Sequence, residues 1–418
     1  MRRTFALIIA LVATGSPPAA AAAADLDATF SGNGIATAFN AGSVATAVAL
    51  DQLGRIVVAG YTASAGPDIA VARLMPDGSF DPDFSEDGRV RLDLGGSEYA
   101  FDLVLDAEGG LAIAGRSGDG TDERFLVVRM DPSGSPDASF SVDGVMTVDF
   151  GKPYQSANAI AFTPQGRLVL GGYVSNGISS NAAVARLLPS GQRDTSFSGN
   201  GRVTIDTSDG AEQINDLLVT GAGRIIASGS TEAGLQPRFL AMKLRSDGRL
   251  DRDFSGNGIA TADVSEGADL ANALTSQANG KIVLAGRAAN GGTTDWGLVR
   301  FDGAGVLDPS FHGDGIRIVP FAGTADEALG VLALGGGLWV AGRGGPGGGD
   351  LTLARVTTSG ALDAAFSGDG LVRVDPFGGA DAARGLAVQT DGKMVLAGEA
   401  RDGLIPRFVV TRILTAPP

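Results

Sequence analysis

The 418-residue chain has no cysteine and one histidine, His312. Without thiols there can be no disulfides, thiolate nucleophiles, iron–sulfur clusters or thiolate zinc sites, and a lone imidazole excludes any centre that needs two. Lysine is scarce, limited to Lys152, Lys243, Lys281 and Lys393, and there are only two tryptophans and four tyrosines. A formal charge of −15 argues against nucleic acid or an anionic membrane surface as partner, because both need clustered Lys and Arg. After the N-terminus no stretch approaches the roughly 20 uninterrupted apolar residues of a membrane-crossing helix. What the chain does have is glycine, 64 residues of it, set among short apolar runs.

The first 24 residues read as an export leader. Met1-Arg2-Arg3 supplies a positive start, Phe5 to Val12 an apolar segment, and Ser16-Pro17-Pro18 with Ala19 to Ala24 a small-residue cleavage region. Cleavage near Ala24 leaves residues 25–418 as the mature chain, exported to a periplasmic, cell-surface or secreted location. The short positive segment favours the general secretory route over twin-arginine export.

One motif, Asp-x-x-Phe-Ser/His-x-Asp/Asn-Gly, occurs seven times, with Phe30, Phe84, Phe140, Phe197, Phe254, Phe311 and Phe366 spaced 54 to 57 residues apart. The repeats begin near 26, 80, 136, 193, 250, 307 and 362. Each contains four strand-like runs. The first follows the motif glycine (Arg89 to Asp93). A variable loop leads to the second (Ala45 to Leu50), which ends in a glycine turn. The third is almost wholly apolar and closes on a glycine (Ile56 to Gly60, Leu111 to Gly115, Ile282 to Gly286), and the fourth (Ile69 to Leu74) runs into a turn such as Pro76-Asp77-Gly78. Continuous apolar runs require burial on both faces, and radial stacking of four-stranded sheets supplies it. The expectation is an all-β, seven-bladed propeller with four antiparallel strands per blade. The chain starts on a first-type strand, Gly34 to Ala38, and ends on a fourth-type strand, Arg407 to Arg412, so the two ends should pair and close the ring.

A basic residue in each fourth strand stands eight residues before a motif aspartate: Arg73/Asp81, Arg129/Asp137, Arg186/Asp194, Lys243/Asp251, Arg300/Asp308 and Arg355/Asp363. The two face each other across a hairpin, and Arg412 with Asp27 should be the seventh pair, across the closure. Seven equivalent copies point to a structural ladder. The motif phenylalanine reads as a plug between blades and the motif glycine as a turn residue with positive φ. Asp83 to Gly88 brushes the calcium-loop pattern, but the twelfth position is Leu94, and the first is Thr29, Ser139, Ser196 or Ala365 in other repeats. His312 adjoins Ser310 and Asp314 without forming a triad, and Trp339 reads as core.

The pattern resembles the delta-60 repeat, a bacterial β-propeller unit of unknown function. The residues that carry the resemblance are Leu250 to Gly258, Asn279 to Gly286 and Gly297 to Phe301, and it extends over the whole mature chain. It implies the propeller fold and export, and no catalytic residues.

If the repeats are scaffold, function lies in what differs between them. On the loop face, the position before each inner strand carries Glu98, Glu212, Asp269, Asp326 and Asp381, against Ser43 and Gln155. These carboxylates are expected at the channel mouth, as a site for calcium or a polycationic partner or simply as a solvated rim. Tyr61, Tyr99, Tyr154 and Tyr173 fall in the first three repeats on the same face and form a candidate glycan-binding patch, with Tyr99 and Tyr154 as the platforms. The reading is an exported, non-enzymatic binding or scaffold module for a protein or glycan at the cell surface, with no organic cofactor. The alternative is a hydrolase or lyase acting on an extracellular polymer through loop carboxylates, and a surface protein that self-associates is a third possibility.

Overall fold

The computed structural model describes residues 25–415 except 40–41, 64–65, 208–209, 233–235, 322 and 324, so the leader lies outside the described residues. Seven four-stranded antiparallel sheets form a seven-bladed β-propeller. The only helical element among the described residues is one 3-10 turn, Pro346–Gly348. The inner strands, in blade order, are Ser43–Leu50, Ser97–Leu105, Tyr154–Phe162, Glu212–Val219, Leu270–Ser276, Glu327–Leu334 and Ala382–Val388. In the first blade, Ile56–Ala63, Pro67–Leu74 and Arg89–Leu92 follow outward, and the next five blades repeat this order. The seventh blade is closed as expected. Ile35–Phe39 pairs with Ile405–Ile413, with Ile35 opposite Thr411, so the first strand covers the edge left by the last.

Second and third strands are buried on both faces, as their apolar runs require, and each core cluster joins residues of adjacent blades. The motif phenylalanines are plugs, six of them fully buried and Phe366 nearly so. The first six pack toward the tight turn of the next repeat. A side chain at Gly134 would stand 2.8 Å from the Phe84 ring, and Gly78 meets Phe30 in the same way. The motif residue after the phenylalanine has positive φ in all seven copies, from Ser255 at 49° to Ser367 at 60°. In the first six copies this left-handed bend aims its N–H at the next repeat's turn, as in Ser85 to the Ser133 carbonyl and His312 to that of Ser359. His312 thus holds a turn position like its six serine counterparts.

The ladder forms in six of its seven places, with Arg73–Asp81, Arg186–Asp194 and Arg300–Asp308 at 2.7 to 2.8 Å and nearly buried. Arg129–Asp137, Arg355–Asp363 and the closing Arg412–Asp27 also pair. The exception corrects the expectation for Lys243 and Asp251. The lysine lacks the guanidinium fork, and its Nζ turns to the Gly303 carbonyl at 3.4 Å. Among the described residues Asp251, fully buried, makes no hydrogen bond through either oxygen and ion-pairs with Arg224 and Arg245, at 3.4 and 3.5 Å.

Candidate functional site

Each inner strand breaks register once, at the same place, between Ala45 and Ala47, Ala100 and Asp102, and so on to Ala383 and Gly385. A bulge leaves one residue unpaired and turns it out of the ladder. The glycine that ends each apolar run is the necessary partner. A Cβ on Gly60 or Gly115 would lie 1.9 or 1.7 Å from the carbonyl oxygen of Val44 or Tyr99, where the inner strand crosses over. The seven bulged residues are Thr46, Phe101, Asn158, Asn215, Asn272, Leu329 and Arg384, and all line one axial cavity of about 230 Å³.

Much of this ring joins the blades. Thr46 Oγ1 donates to the Ala100 carbonyl, and the amides of Asn158, Asn215 and Asn272 donate to those of Ile214, Ala271 and Ala328. Asp102 and Asp216, one position further on, also face the cavity. Asp102 accepts from the N–H groups of Leu103 and Ile160, and Asp216 from those of Leu274 and Leu217. Burial raises Asp102 to about 6 despite those bonds, and burial together with the charge of Asp102 raises Asp216 to about 7. Each carboxylate accepts one N–H from its own blade and one from the next, so both act as joints between blades.

At the loop end of the cavity the side chains change character. Tyr61 and Tyr99 meet edge to face at 5.0 Å, and Tyr99 lies parallel to Phe101 at 6.0 Å. The Arg116 guanidinium sits 4.5 Å above the Tyr99 ring and reaches Glu123 at 3.3 Å. Burial raises the Tyr61 phenol, while Arg384 and Arg116 nearby act to lower it. Arg384 bonds Glu399 at 2.7 Å, and Glu399 also receives Arg401. Three aromatic rings and two arginines from the first, second and seventh blades therefore meet at one sector of the channel mouth.

Of the tyrosines expected at the site, Tyr61 and Tyr99 come together here. Tyr154, 37% exposed, packs by the loop glycine Gly177, and Tyr173 is half-buried in its own blade. The expected acidic ring is not an accessible rim. Glu98, Glu212, Asp269 and Asp326 are fully buried and Asp381 nearly so. They brace the loops that precede them and the strand ends beside them, because loop N–H groups need acceptors once covered. Glu98 accepts from Leu94, Asp269 from Val264 and Ser265, Asp326 from Gly345 and Asp381 from Arg401, while Thr207 Oγ1 donates to Glu212. Gln155 does the same for Phe150. Burial raises Asp269 and Asp326, and takes Asp381 to about 7. Among the described residues one group of three carboxylates, Asp68, Asp93 and Glu98, has oxygens within 4.8 Å of one another. The Arg91 guanidinium already bonds Asp68 there, through Nε at 2.7 Å. Trp296 and Trp339 are both buried, in different core clusters, and Trp296 Nε1 donates to the Arg343 carbonyl.

The bulge ring was not among the residues singled out from sequence. Its signal is one variable residue set between mostly small ones at the same place in each repeat, as in Ala45-Thr46-Ala47, Ala157-Asn158-Ala159 and Ala383-Arg384-Gly385.

Fold and site together define a seven-bladed β-propeller with a lined axial channel. Residues 54–84, 109–140, 163–197 and 277–311 match the model of a family described as a domain of unknown function (DUF5122) beta-propeller. Each match runs from the turn after an inner strand to the motif phenylalanine, or close to it, and together they support a β-propeller repeat family of unknown function. No curated protein matches the chain. Among solved structures, Sqt1 of Chaetomium thermophilum is 13% identical over 90% of this chain and 96% of its own, with a TM-score of 0.52. A protein of unknown function from Dyadobacter fermentans is 10% identical over 92% and 100% of the two chains, with a TM-score of 0.48. The polysaccharide lyase Uly1 is 11% identical over 88% and 89%, with a TM-score of 0.49. At these identities the likeness concerns fold alone.

Proposed function

We propose that this chain is an exported, non-enzymatic binding module of the delta-60 repeat type, whose ligand enters the loop-face mouth of the axial channel. The observation that carries this reading is the convergence of Tyr61, Tyr99 and Phe101 with Arg116 and Arg384 beside the axial cavity. Aromatic rings offer apolar contact to a sugar face or an apolar side chain, and guanidinium groups direct a carboxylate or hydroxyl. A glycan that bears carboxylates suits this set best. Catalysis by paired carboxylates is disfavoured, because Asp102 and Asp216 are engaged with backbone N–H groups of their own and adjoining blades. The test is a panel of neutral and uronate-bearing oligosaccharides applied to the mature protein, with Tyr99→Ala and Arg384→Ala as variants. Binding weakened at least tenfold in both variants is expected. Undiminished binding in both would remove the channel mouth as the site, and release of new reducing or unsaturated ends would replace the binding reading with an enzymatic one.

A further inference from the structure

The turn face, opposite the channel mouth discussed above, carries one departure from the repeat. In the fourth blade, the hairpin between Arg238–Leu244 and Ile259–Ala262 holds Arg245, Arg249 and Arg252. Aligned on the motif aspartate, no other repeat has a basic residue at any of these three positions. The first blade, for example, has Met75, Ser79 and Pro82. The three arginines, all exposed, line a single open hollow of about 490 Å³ with Leu250 and Asn257. That volume falls within the roughly 300–1,000 Å³ of small-molecule sites.

Charge at this place runs against the rest of the chain. Arg245, Arg249 and Arg252 line the hollow, and Arg224 joins Arg245 at Asp251, with Asp247 beside Arg249, in a protein whose formal charge is −15. The acids hold the arginines only loosely, with Arg249 at 3.6 Å from Asp247 and Arg245 at 3.5 Å from Asp251. Arg252 makes no ion pair among the described residues. The ladder is also broken at this blade alone, since Lys243 stands where the other six repeats carry arginine. Asp251 is thereby left to Arg224 and Arg245 rather than to a ladder partner.

We propose that this hollow is an oxyanion site that takes the sulfate or phosphate ester group of a small ligand. Guanidinium groups present paired N–H donors at the spacing of such oxygens, and three on one concave wall can surround a tetrahedral anion. Asn257 and the apolar stem of Leu250 border the space left for the organic part of the ester.

The test compares the mature protein with Arg249→Ser/Arg252→Ala, which installs the residues of the second blade, Ser135 and Ala138. Both replaced arginines are exposed, so the variant should fold, and circular dichroism checks that it does. Inorganic phosphate and inorganic sulfate are titrated separately against chloride at constant ionic strength. Both anions raise melting temperatures without binding, by exclusion from protein surfaces, so the difference between the two proteins is what counts. A saturable signal in the wild type that weakens at least tenfold in the variant is expected. Equal responses in both proteins would overturn the site. Glucose 6-sulfate, glucose 6-phosphate and phosphatidylglycerol vesicles then separate a sugar ester from a lipid headgroup. Binding of inorganic anions without any of these esters would mean an adventitious ion only and would overturn the assignment of an ester ligand.

Discussion

Asp194→Ala and Asp363→Ala remove the same ladder carboxylate from two different environments. Asp194 and Arg186 are each 4% exposed and bond at 2.8 Å. Asp194 also accepts from Ser196 Oγ at 2.6 Å, and Arg167 approaches at 3.2 Å. Burial pushes its carboxyl up, but the Ser196 bonds and the Arg186 charge bring it below the ordinary range. Without Asp194, the Arg186 guanidinium stays buried with only Ser196 Oγ and the Ser246 carbonyl as acceptors. Breaking a buried pair from one side costs about 3 to 5 kcal/mol. The Arg355 and Asp363 side chains are 35% and 23% exposed and 3.1 Å apart. Water there screens the charge, and the loss should be about 1 kcal/mol or less. Urea denaturation followed by the fluorescence of Trp296 and Trp339 compares the two, and added salt should shrink the Asp363 effect much more than the Asp194 effect. Losses of equal size would refute the claim that burial sets the worth of each rung.

Three further outcomes are expected. Lys243→Arg restores the missing rung to Asp251, whose oxygens now lack hydrogen bonds, and should stabilise by about 1 kcal/mol in the same urea assay. Val142 sits at φ 79°, where five other repeats carry glycine, so Val142→Gly should also stabilise by about 1 kcal/mol, and a loss of stability would show that its backbone is not strained. Stability should also depend on pH in two windows. Asp102 at about 6, and Asp216 and Asp381 at about 7, bind protons more tightly folded than unfolded, so stability rises as pH falls from about 8 toward 5. Asp27, Asp81, Asp194 and Asp308 are lowered, so their contribution is present above about pH 4 and lost below it. Melting curves from pH 3 to 8 should therefore peak on the mildly acidic side, and a maximum at pH 8 would contradict the burial of the axial carboxylates.

Blade number, strand count, the plugs and six rungs of the ladder were all legible in the sequence, because a repeat must satisfy the same local physics seven times. An apolar run needs two covered faces, a turn needs glycine, and an Arg and an Asp eight residues apart across a hairpin meet whatever lies around them. Even the ring closure followed from which strand type begins and ends the chain. The Lys243 rung failed because reach and fork geometry differ between lysine and arginine, and a charge pattern does not encode them.

Tertiary structure alone decided which variable residues share a space. Glu98, Asp269 and Asp326 looked like a rim on position, yet covered loop N–H groups draw them inward, and a sequence does not say which backbone donors will lose their water. The bulges that turn Phe101 and Arg384 toward the axis, and the contact of Tyr61 with Tyr99 between blades, depend on how the inner strands pack around the channel. Repetition is a local property and is written in the chain. The sites lie where the repeats diverge, and they exist only after closure brings distant segments onto one channel mouth or one turn face.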